Sequence, residues 1–339
     1  MSRISAYDIN EIVLSGKSFA IVRIPGEKAI RVKSGKWIRT RLEEISQPCF
    51  FVQPFSVSEN GFSLIQEKER TFWYEPIIPE VSRKKNYLKT FGLFHAEIKG
   101  GKFRKLVLSK AKKGSSKKIN IGSTFFSLCD KFPNATVNLF HIPGEGLWLG
   151  ASPELLLKSD LKCTESVSLA GTLKSSQKKW AEKESEEQKI VTDFISEKFE
   201  KFSAHTTLHH RKTIRAGNVK HLCNHFITHH PVKWKNLIQL AYELHPTPAV
   251  NGWPKNKAQQ FISTTEPHSR EFYAGYFGFV DPGKRLELYV NIRCMKLVNN
   301  IPYIFTGGGI TVDSVGSKEW AEAELKAQGL INSLSFGEN

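Results

Sequence analysis

One acidic side chain stands out in the middle of the chain. Glu187 precedes Ile190 and Val191 by three and four residues, at the edge of the apolar face of a helix predicted over 182–202. A carboxylate there costs free energy unless it is paired, hydrogen-bonded or bound to a metal ion. The alternative is the solvated rim of a charged helix, because other glutamates are close by.

A second polar stripe lies near the C-terminus, where the apolar spacing predicts another amphipathic helix with Ser317 as its N-cap. Glu319, Glu322 and Lys326 are spaced i, i+3 and i+7 and follow the flank of its apolar face. A Glu–Lys pair and acidic residues in the first turn are also ordinary ways to stabilise a helix. The stripe alone therefore does not indicate a site.

Glycine and arginine add two further signals. Gly307, Gly308 and Gly309 interrupt a strand pattern, which indicates a bulge or backbone N–H groups that open toward an anion. Arg293 falls on the predicted strand YVNIRCMKL, where its guanidinium could hold a carboxylate through two parallel hydrogen bonds. Each signal is weak by itself.

A histidine cluster is the main alternative metal site. Three of its members recur every four residues, which on a helix would resemble a zinc site. The cluster has no accompanying Cys pair, a proline follows its last member, and the neighbouring apolar residues fit no clean helical face. We therefore expect no zinc. The cluster comprises His205, His209, His210, His221, His225, His229 and His230.

The chain is strongly basic, with 49 Lys and Arg against 33 Asp and Glu and a net charge of +16. Such an excess attracts nucleic acid, anionic lipid or an anionic small substrate. Two lysine-rich stretches, 110–118 and 174–183, are not accompanied by an RNP-type, helix-turn-helix or zinc-finger pattern, so we interpret them as solvated loops and expect no nucleic-acid partner. The alternative, a nucleic-acid-binding protein, would depend on Lys110, Lys112, Lys113, Lys117 and Lys118.

The elements that must position these residues are many short strands and a few long helices, in a chain of 339 residues without internal repeats. Residues 1–90 alternate apolar runs with polar turns, and 103–110, 136–158 and 271–312 continue the strand character. This pattern predicts an α+β fold built on large, mainly antiparallel sheets.

Membrane spans, a signal peptide and patterned cysteines bear on where the protein is located in the cell. The chain has no apolar run long enough to cross a bilayer, and its N-terminus lacks the pattern of a signal peptide. Its five cysteines are scattered and unpatterned, which is typical of free thiols. We expect a cytoplasmic protein without a membrane partner.

An ordered series of motifs runs from about Phe103 to the C-terminus: KLVLSK, GASPELLL, SLAGT, EEQKIV, ELHPTPAVNGWPK, TTEPHSREFYAGYFGFVD, YVNIRCMKL, FTGGGI and KEWAEAELK. Taken together, these motifs resemble those of the chorismate-utilising enzymes. This resemblance implies a single large domain, with antiparallel sheets packed as a sandwich and surrounded by helices. Residues 91–339 would form the chorismate-binding catalytic region, 1–90 would be a strand-rich part of the same fold, and we expect a monomer.

Three positions select among the branches of this family. Lys105 stands where members that use water carry lysine, whereas ammonia-using anthranilate synthases carry glutamine. Ala170 replaces the nucleophilic lysine of aminodeoxychorismate synthases, and the segment 245–249 is similar to that of isochorismate synthases. The resemblance therefore implies an isochorismate synthase. Salicylate synthase and an anthranilate synthase-like enzyme remain alternatives, and neither a menaquinone nor a siderophore pathway is favoured.

The resemblance also implies roles for Lys105 and Glu154. Water adds at C2 of chorismate with Lys105 as the base, and the C4 hydroxyl leaves with Glu154 as the acid. A lysine amine is normally protonated at pH 7, so burial or a neighbouring cation must favour its neutral form. Glu154 must instead stay protonated, as a poorly solvated carboxyl does. Without the resemblance, these residues would be an exposed strand lysine and a turn carboxylate.

The same resemblance implies a metal site and a set of substrate anchors. Glu187 and Glu322 would hold Mg²⁺, with Glu319 nearby or acting through water, because Mg²⁺ prefers oxygen ligands and keeps several waters. Arg293 and Lys326 would anchor the carboxylates of the chorismate dianion. The backbone amides of Gly307, Gly308 and Gly309 would assist them, and Gly171 would approach the ring.

Overall fold

The computed structural model describes residues 4–27, 29–65, 77–160, 162–177, 179–202, 206–216, 219–229 and 232–337. Over these ranges the chain forms seven α-helices and 18 strands, and the paired strands run antiparallel. Two large sheets contain all of these strands. The α+β prediction with mainly antiparallel sheets is confirmed.

The first sheet has eight strands in the order β14-β6-β18-β17-β8-β7-β1-β2. Its adjacent strands β6 and β18 contribute residues to the candidate site. The strands are β1 (Phe19–Arg23), β2 (Ile30–Ser34), β6 (Lys105–Lys113), β7 (Thr136–Ile142), β8 (Gly146–Ser152), β14 (Gly252–Trp253), β17 (Cys294–Val298) and β18 (Ile301–Ile310).

The second sheet has ten strands in the order β11-β13-β10-β9-β16-β15-β4-β5-β3, and β12 pairs with β13 beside this path. The strands are β3 (Lys36–Thr40), β4 (Cys49–Gln53), β5 (Gly61–Ile65), β9 (Leu155–Ser159), β10 (Thr164–Lys174), β11 (Thr206–Leu208), β12 (Lys212–Ala216), β13 (Val219–Thr228), β15 (Tyr276–Asp281) and β16 (Arg285–Val290).

The helices cover the sheets, and a short 3-10 turn spans Leu42–Glu44. The long helix predicted over 182–202 is observed with those bounds, because its apolar positions keep helical spacing over the whole segment. The helices are α1 (Ala6–Leu14), α2 (Lys84–Lys99), α3 (Ile121–Lys131), α4 (Glu182–Phe202), α5 (Trp234–Leu244), α6 (Lys255–Thr265) and α7 (Gly316–Ile331).

The core lies on both faces of the eight-stranded sheet. Successive side chains of a strand point to opposite faces, so Phe140 packs toward the ten-stranded sheet while Leu139 packs toward α1, α3 and α7. Phe50 of β4 lies 6.2 Å from Phe277 and 6.5 Å from Phe140, measured between ring centroids. Aromatic rings therefore join the two sheets, and the molecule is the expected sandwich.

Strands from the N-terminal part of the chain belong to both sheets. β1 pairs with β7 in the eight-stranded sheet, and β4 pairs with β15 in the ten-stranded sheet. These pairings place strands from 19–65 beside strands that lie more than 100 residues later in the chain. None of the helices in the described ranges is both long and apolar enough to span a bilayer.

The region around Arg293 differs from the predicted continuous strand. The chain leaves the ten-stranded sheet after Val290 and joins the eight-stranded sheet at Cys294. Arg293 lies in the connection and has a φ of +51°, a left-handed value that non-glycine residues rarely adopt. The prediction that Arg293 lies on a strand was wrong, because an apolar run does not reveal that a chain changes sheets.

The basic stretch at 110–118 also differs from its predicted form. β6 continues to Lys113, and Lys110 is 1% exposed rather than solvated. Its ammonium pairs with Glu324 of α7 and lies 3.6 Å from the centroid of the Trp320 ring. Lys110 therefore cannot contribute to a nucleic-acid-binding surface, because its charge is already neutralised inside the fold.

Two local predictions need smaller corrections. α7 starts at Gly316 with Val315 at the N-cap position, so Ser317 lies inside the helix and does not cap it. Within the described part of the cluster, His221 and His225 lie on β13 and not on a helix. His205 and His230 lie outside the described residues.

Candidate active site

The base of the candidate site is formed by β6 and β18, which pair with Gly309 opposite Val107 and Gly307 opposite Ser109. Lys105 opens β6 and is completely buried. Its Nζ lies 3.0 Å from Oε1 of Glu187, which reaches over from α4 and is 12% exposed. The structure thus brings together a buried amine and a carboxylate that lie 82 residues apart in the sequence.

Glu154 follows β8 at the predicted turn and is 2% exposed. Burial raises the pKa of its carboxyl to about 8, while the charge of Lys105 and a hydrogen bond from Thr247 oppose this rise. The Thr247 hydroxyl lies 3.4 Å from Oε1 of Glu154. At neutral pH the carboxyl is therefore mostly protonated and can donate a proton.

Glu154 and Glu187 open into one cavity between the two sheets. This cavity also receives Arg293 and Lys326, so acidic and basic groups face a common space. Apolar and aromatic side chains make up much of the remaining wall. Predicted residues at the cavity are Glu154, Gly171, Glu187, Arg293, Gly307, Gly309 and Lys326; other lining residues include Val107, Ala170, His221, Ala249, Val250, Tyr273 and Phe305.

The three glycines have a role that differs from both sequence interpretations. They pair with β6 in regular register without a bulge. A Cβ atom at Gly309 would lie 2.2 Å from Oε1 of Glu187 and 2.8 Å from Cε of Lys105. At Gly307 it would meet the Tyr273 hydroxyl at 2.7 Å. The glycines therefore give polar side chains from other elements room to approach the strand backbone.

The acidic stripe of α7 lies beside Gly308, whose Cβ position is 3.3 Å from Oε2 of Glu319 and 3.8 Å from Oε1 of Glu322. Lysines neutralise both carboxylates. Lys183 of α4 lies 2.5 Å from Oε1 of Glu319, and Lys326 lies 2.8 Å from Oε1 of Glu322. Lys326 also donates to the carbonyl oxygen of Gly307 at 2.9 Å, so it connects this stripe to the cavity.

Neighbouring charges favour the ionised form of Glu187 more strongly than that of Glu319. Burial favours the neutral form of Glu187, but the charges of Lys105, Lys183 and Lys326 outweigh it and lower the pKa. At Glu319, burial raises the pKa and Glu322 raises it further, against the charge of Lys183. These carboxylates thus form a dense anionic group that lysines hold in place.

The donor set fits a hard divalent cation. Oε2 of Glu319 is buried and has no hydrogen-bond partner, which leaves one carboxylate oxygen unsatisfied next to Glu322. Within the described ranges, no three His, Cys, Asp or Glu side chains converge closely enough to form a ligand set by themselves. Two or three carboxylates from separate helices suit Mg²⁺ all the same, because water supplies much of its coordination shell.

Sequence reasoning missed His221, which holds Arg293. Its Nδ1 lies 2.8 Å from the carbonyl oxygen of Gly171, and its Nε2 lies 2.6 Å from Nη2 of Arg293. Burial, with the charges of Arg293 and Lys326, lowers its pKa well below the usual range. A neutral imidazole therefore donates to Gly171 and accepts from Arg293. The four-residue spacing of the histidines drew attention to His221 but suggested a helix and a metal ligand. The residue lies on a strand and holds Arg293.

Tyr273 and Lys183 were also missed. Tyr273 lines the cavity and stacks on Phe305, with ring centroids 5.6 Å apart. Lys183 belongs to a lysine-rich stretch that predicted a solvated loop, yet its partner Glu319 is 2% exposed. No periodicity could have separated Lys183 from the exposed lysines, because the distinction depends on a partner that lies 136 residues away.

Together these groups can bind a small anionic molecule and exchange a proton with it. The cavity offers the protonated carboxyl of Glu154 for proton transfer, and the guanidinium of Arg293 and the ammonium of Lys326 can bind carboxylates, whereas Lys105 contacts Glu187 and does not itself line the cavity. The model of the chorismate binding enzyme family matches residues 57–335. The chain belongs to this family.

Curated relatives are similar to this chain over part of their sequences. Isochorismate synthase EntC of Escherichia coli is 33% identical over 207 residues, which cover 57% of this chain and 53% of EntC. The chain spans about half the length of the curated relatives it matches.

Solved structures confirm the predicted fold of the family. DhbC from Bacillus anthracis superposes with a TM-score of 0.81 at 22% identity, covering 95% of this chain and 98% of DhbC. MenF, the menaquinone-specific isochorismate synthase from Escherichia coli, gives a TM-score of 0.77 at 20% identity, covering 94% and 89% of the two chains. The chain therefore has the same fold as these two proteins.

Proposed function

We propose that this protein is an isochorismate synthase that converts chorismate reversibly to isochorismate. One observation supports the proposal above the others: Glu154 is protonated at neutral pH and shares a cavity with Glu187, the partner of Lys105. An acid and an amine in one site are what the exchange of a ring hydroxyl for water requires. Ala170 lines the same cavity and offers no nucleophile.

The proposed reaction balances two proton transfers. The Lys105 amine pairs with Glu187 and can act as a base only after it has released a proton to solvent. As the free amine it then takes a proton from a water molecule while the oxygen of that water forms a bond to C2 of the ring. The ring double bonds shift, and the bond between C4 and its hydroxyl breaks. Glu154 gives its proton to that hydroxyl, which leaves as water. Lys105 ends protonated and Glu154 ionised, and solvent exchange restores both groups.

We assign the metal site to Glu187 and Glu322, with Glu319 nearby or acting through water. The unsatisfied Oε2 of Glu319 supports this assignment. Mg²⁺ bound there would balance the negative charge of a substrate carboxylate. Lys183 and Lys326 hold Glu319 and Glu322 near Gly308, which keeps the carboxylates together at the edge of the cavity.

The substrate anchors follow from charge and position. Arg293 and Lys326 line the cavity and suit the two carboxylates of chorismate. Gly307 and Gly309 border the same space, as does Gly171 at the bulge of β10, whereas Gly308 faces Glu319 and Glu322. Burial lowers the pKa of Arg293 to about 10, so its guanidinium stays charged at neutral pH.

The remaining expectations belong to the same proposal. Residues 91–339 would form the chorismate-binding catalytic region and 1–90 a strand-rich part of the same fold. We infer a cytoplasmic monomer with chorismate as its small-molecule substrate and without a nucleic-acid or membrane partner. All five cysteines are free thiols, which supports a reducing compartment.

Product analysis tests this function. The full chain is incubated with chorismate and Mg²⁺ in the absence of ammonia, and products are separated by chromatography and identified by NMR. Isochorismate in equilibrium with chorismate is the expected result. Fluorescent salicylate with release of pyruvate would identify a salicylate synthase instead, and anthranilate formed only with added ammonia would identify an anthranilate synthase. Lys105→Ala is the inactive control.

A further inference from the structure

A second cleft lies next to the central cavity. It has a volume of about 610 Å³ and is bounded by the end of α3, by β12 and by the C-terminal part of α7. Lys131, Pro153 and Arg215 are among its lining residues. The proposed reaction does not use this cleft.

Three structural links join the cleft to the central cavity. Arg293 lines both spaces. Pro153 of the cleft immediately precedes Glu154 of the cavity, and Ile214 of the cleft is the cross-strand partner of His221. Because His221 holds the guanidinium, Arg293 lines both spaces as a positioned side chain and not as a loose one.

Charge distinguishes this cleft from the larger opening on the protein. Lys131, Arg215 and Arg293 face it, against one acidic residue, Asp130. The larger cleft, of about 870 Å³, mixes four cationic side chains with three acidic ones. Among the residues that the structure describes, it shares no lining residue with the central cavity.

We propose that the second cleft is the approach route of the substrate, in which Lys131 and Arg215 draw a dicarboxylate toward Arg293. The inference rests on the proposed function, because chorismate is the dianion concerned. A cleft lined by one sign of charge between low-dielectric walls concentrates an oppositely charged ligand and speeds its association. Lys131 and Arg215 are positioning residues that act before the substrate reaches the groups that react.

Charge reversal tests the route. In the full chain, Arg215→Glu combined with Lys131→Glu lowers kcat/KM for chorismate at least about fivefold at low salt, by raising KM while kcat stays within about twofold. The loss shrinks toward wild type in 0.5 M salt, where screening shortens the range of the field. Arg211→Glu is the matched control for Arg215→Glu alone, because Arg211 lies on the larger cleft and the two single substitutions change the charge equally.

A steric variant tests the same route without a change of charge. Ile214→Trp narrows the cleft and slows chorismate association in stopped-flow fluorescence, whereas Ile214→Ala leaves it near the wild-type rate. Equal losses in Arg211→Glu and in the double reversal would overturn the route, as would an unchanged association rate in Ile214→Trp. Circular dichroism of each variant shows that it is folded.

Failure of the proposed function gives a different result. If calorimetry detects no chorismate binding to Lys105→Ala or to wild type, then both the function and the route are overturned. If wild type converts chorismate to salicylate or anthranilate, only the product assignment fails. The comparison of kcat/KM between Arg215→Glu and Arg211→Glu then still decides whether the substrate uses this cleft.

Discussion

Strand β6 buries one lysine at its start and another in its second half, and the difference between them shows what marks a reactive site. Lys105 is 0% exposed and Lys110 is 1% exposed, so burial does not separate them. Lys110 has a saturated environment, because Glu324 pairs with its ammonium and the Trp320 ring covers it. Lys105 has Glu187 as its charged partner, and that carboxylate faces the cavity.

The comparison shows that the surroundings of a buried cation matter more than its burial. At Lys110, burial lowers the pKa and Glu324 opposes this, so charge is balanced locally in a fixed ion pair. At Lys105, the partner Glu187 is shared with Lys183 and Lys326, and a ligand can change that balance. The first arrangement stabilises α7 against β6, whereas the second can respond to substrate.

The largest expected effect separates the two lysines directly. Lys105→Ala reduces kcat at least about 10³-fold, because the general base is lost. Lys110→Ala, the matched control, keeps kcat within about threefold. Initial rates of isochorismate formation measure both variants, and circular dichroism shows that both are folded. Near-normal turnover by Lys105→Ala would contradict its assignment as the base.

Loss of the acid has an effect of similar size. Glu154→Gln keeps the shape of the side chain but cannot give up a proton in the same way, so kcat falls about 10²- to 10⁴-fold. Binding of chorismate, measured by calorimetry, stays close to wild type. A large loss of binding with a preserved kcat would show that Glu154 binds substrate and does not donate the proton.

The carboxylates assigned to the metal can be compared with a carboxylate that only pairs with lysines. Glu187→Ala and Glu322→Ala lose Mg²⁺-dependent activity, because each removes an oxygen ligand. Glu324→Ala is the control on the same helix as Glu322, since its partners are Lys110 and Lys112. Mg²⁺ titration by calorimetry provides a readout apart from turnover. An unchanged Mg²⁺ affinity in both Glu187→Ala and Glu322→Ala would contradict the metal assignment.

A smaller, graded effect is expected with pH. Because burial raises the pKa of Glu154 to about 8, the free enzyme loses its acid as pH rises through that value. kcat/KM therefore falls about tenfold per pH unit well above pH 8. The folded state also holds this proton more tightly than the unfolded chain, so stability falls as pH rises from about 4.5 through 8. A flat kcat/KM profile from pH 7 to 10 would contradict the role of Glu154.

The smallest effect concerns stability. Lys110→Ala removes one of the two lysines that pair with Glu324 and the cation over Trp320, and we expect the free energy of unfolding to fall by about 1–3 kcal/mol. Urea denaturation measures the change, with Lys112→Ala, the half-buried second partner of Glu324, as the control. An effect no larger than that of Lys112→Ala would show that burial of Lys110 contributes nothing.

Sequence patterns predicted most of the elements but not their long-range partners. Apolar spacing predicted α4 with its observed bounds, because its buried apolar positions keep helical spacing and most of them belong to the main core. The acidic and basic residues of the site were found through the resemblance of motifs. The position of Glu187 by itself favoured the solvated rim of a charged helix over a buried site.

The remaining features depend on contacts between distant segments. Lys110 looked like part of a solvated loop because Glu324 and Trp320 follow more than 200 residues later. His221 looked like one of a series of histidines, although a neutral ring between Gly171 and Arg293 is a tertiary arrangement. Hydrophobic periodicity describes one element at a time, and these contacts each join two.

The change of sheet at Arg293 has a structural consequence for variation in this molecule. Three residues, from Asn291 to Arg293, bridge strands of different sheets, so the anchoring guanidinium is aimed by the backbone of a crossover. One amino acid inserted in this bridge would leave both ladders hydrogen-bonded and still turn the cation out of the cavity. Length at this point is therefore as constrained as residue type.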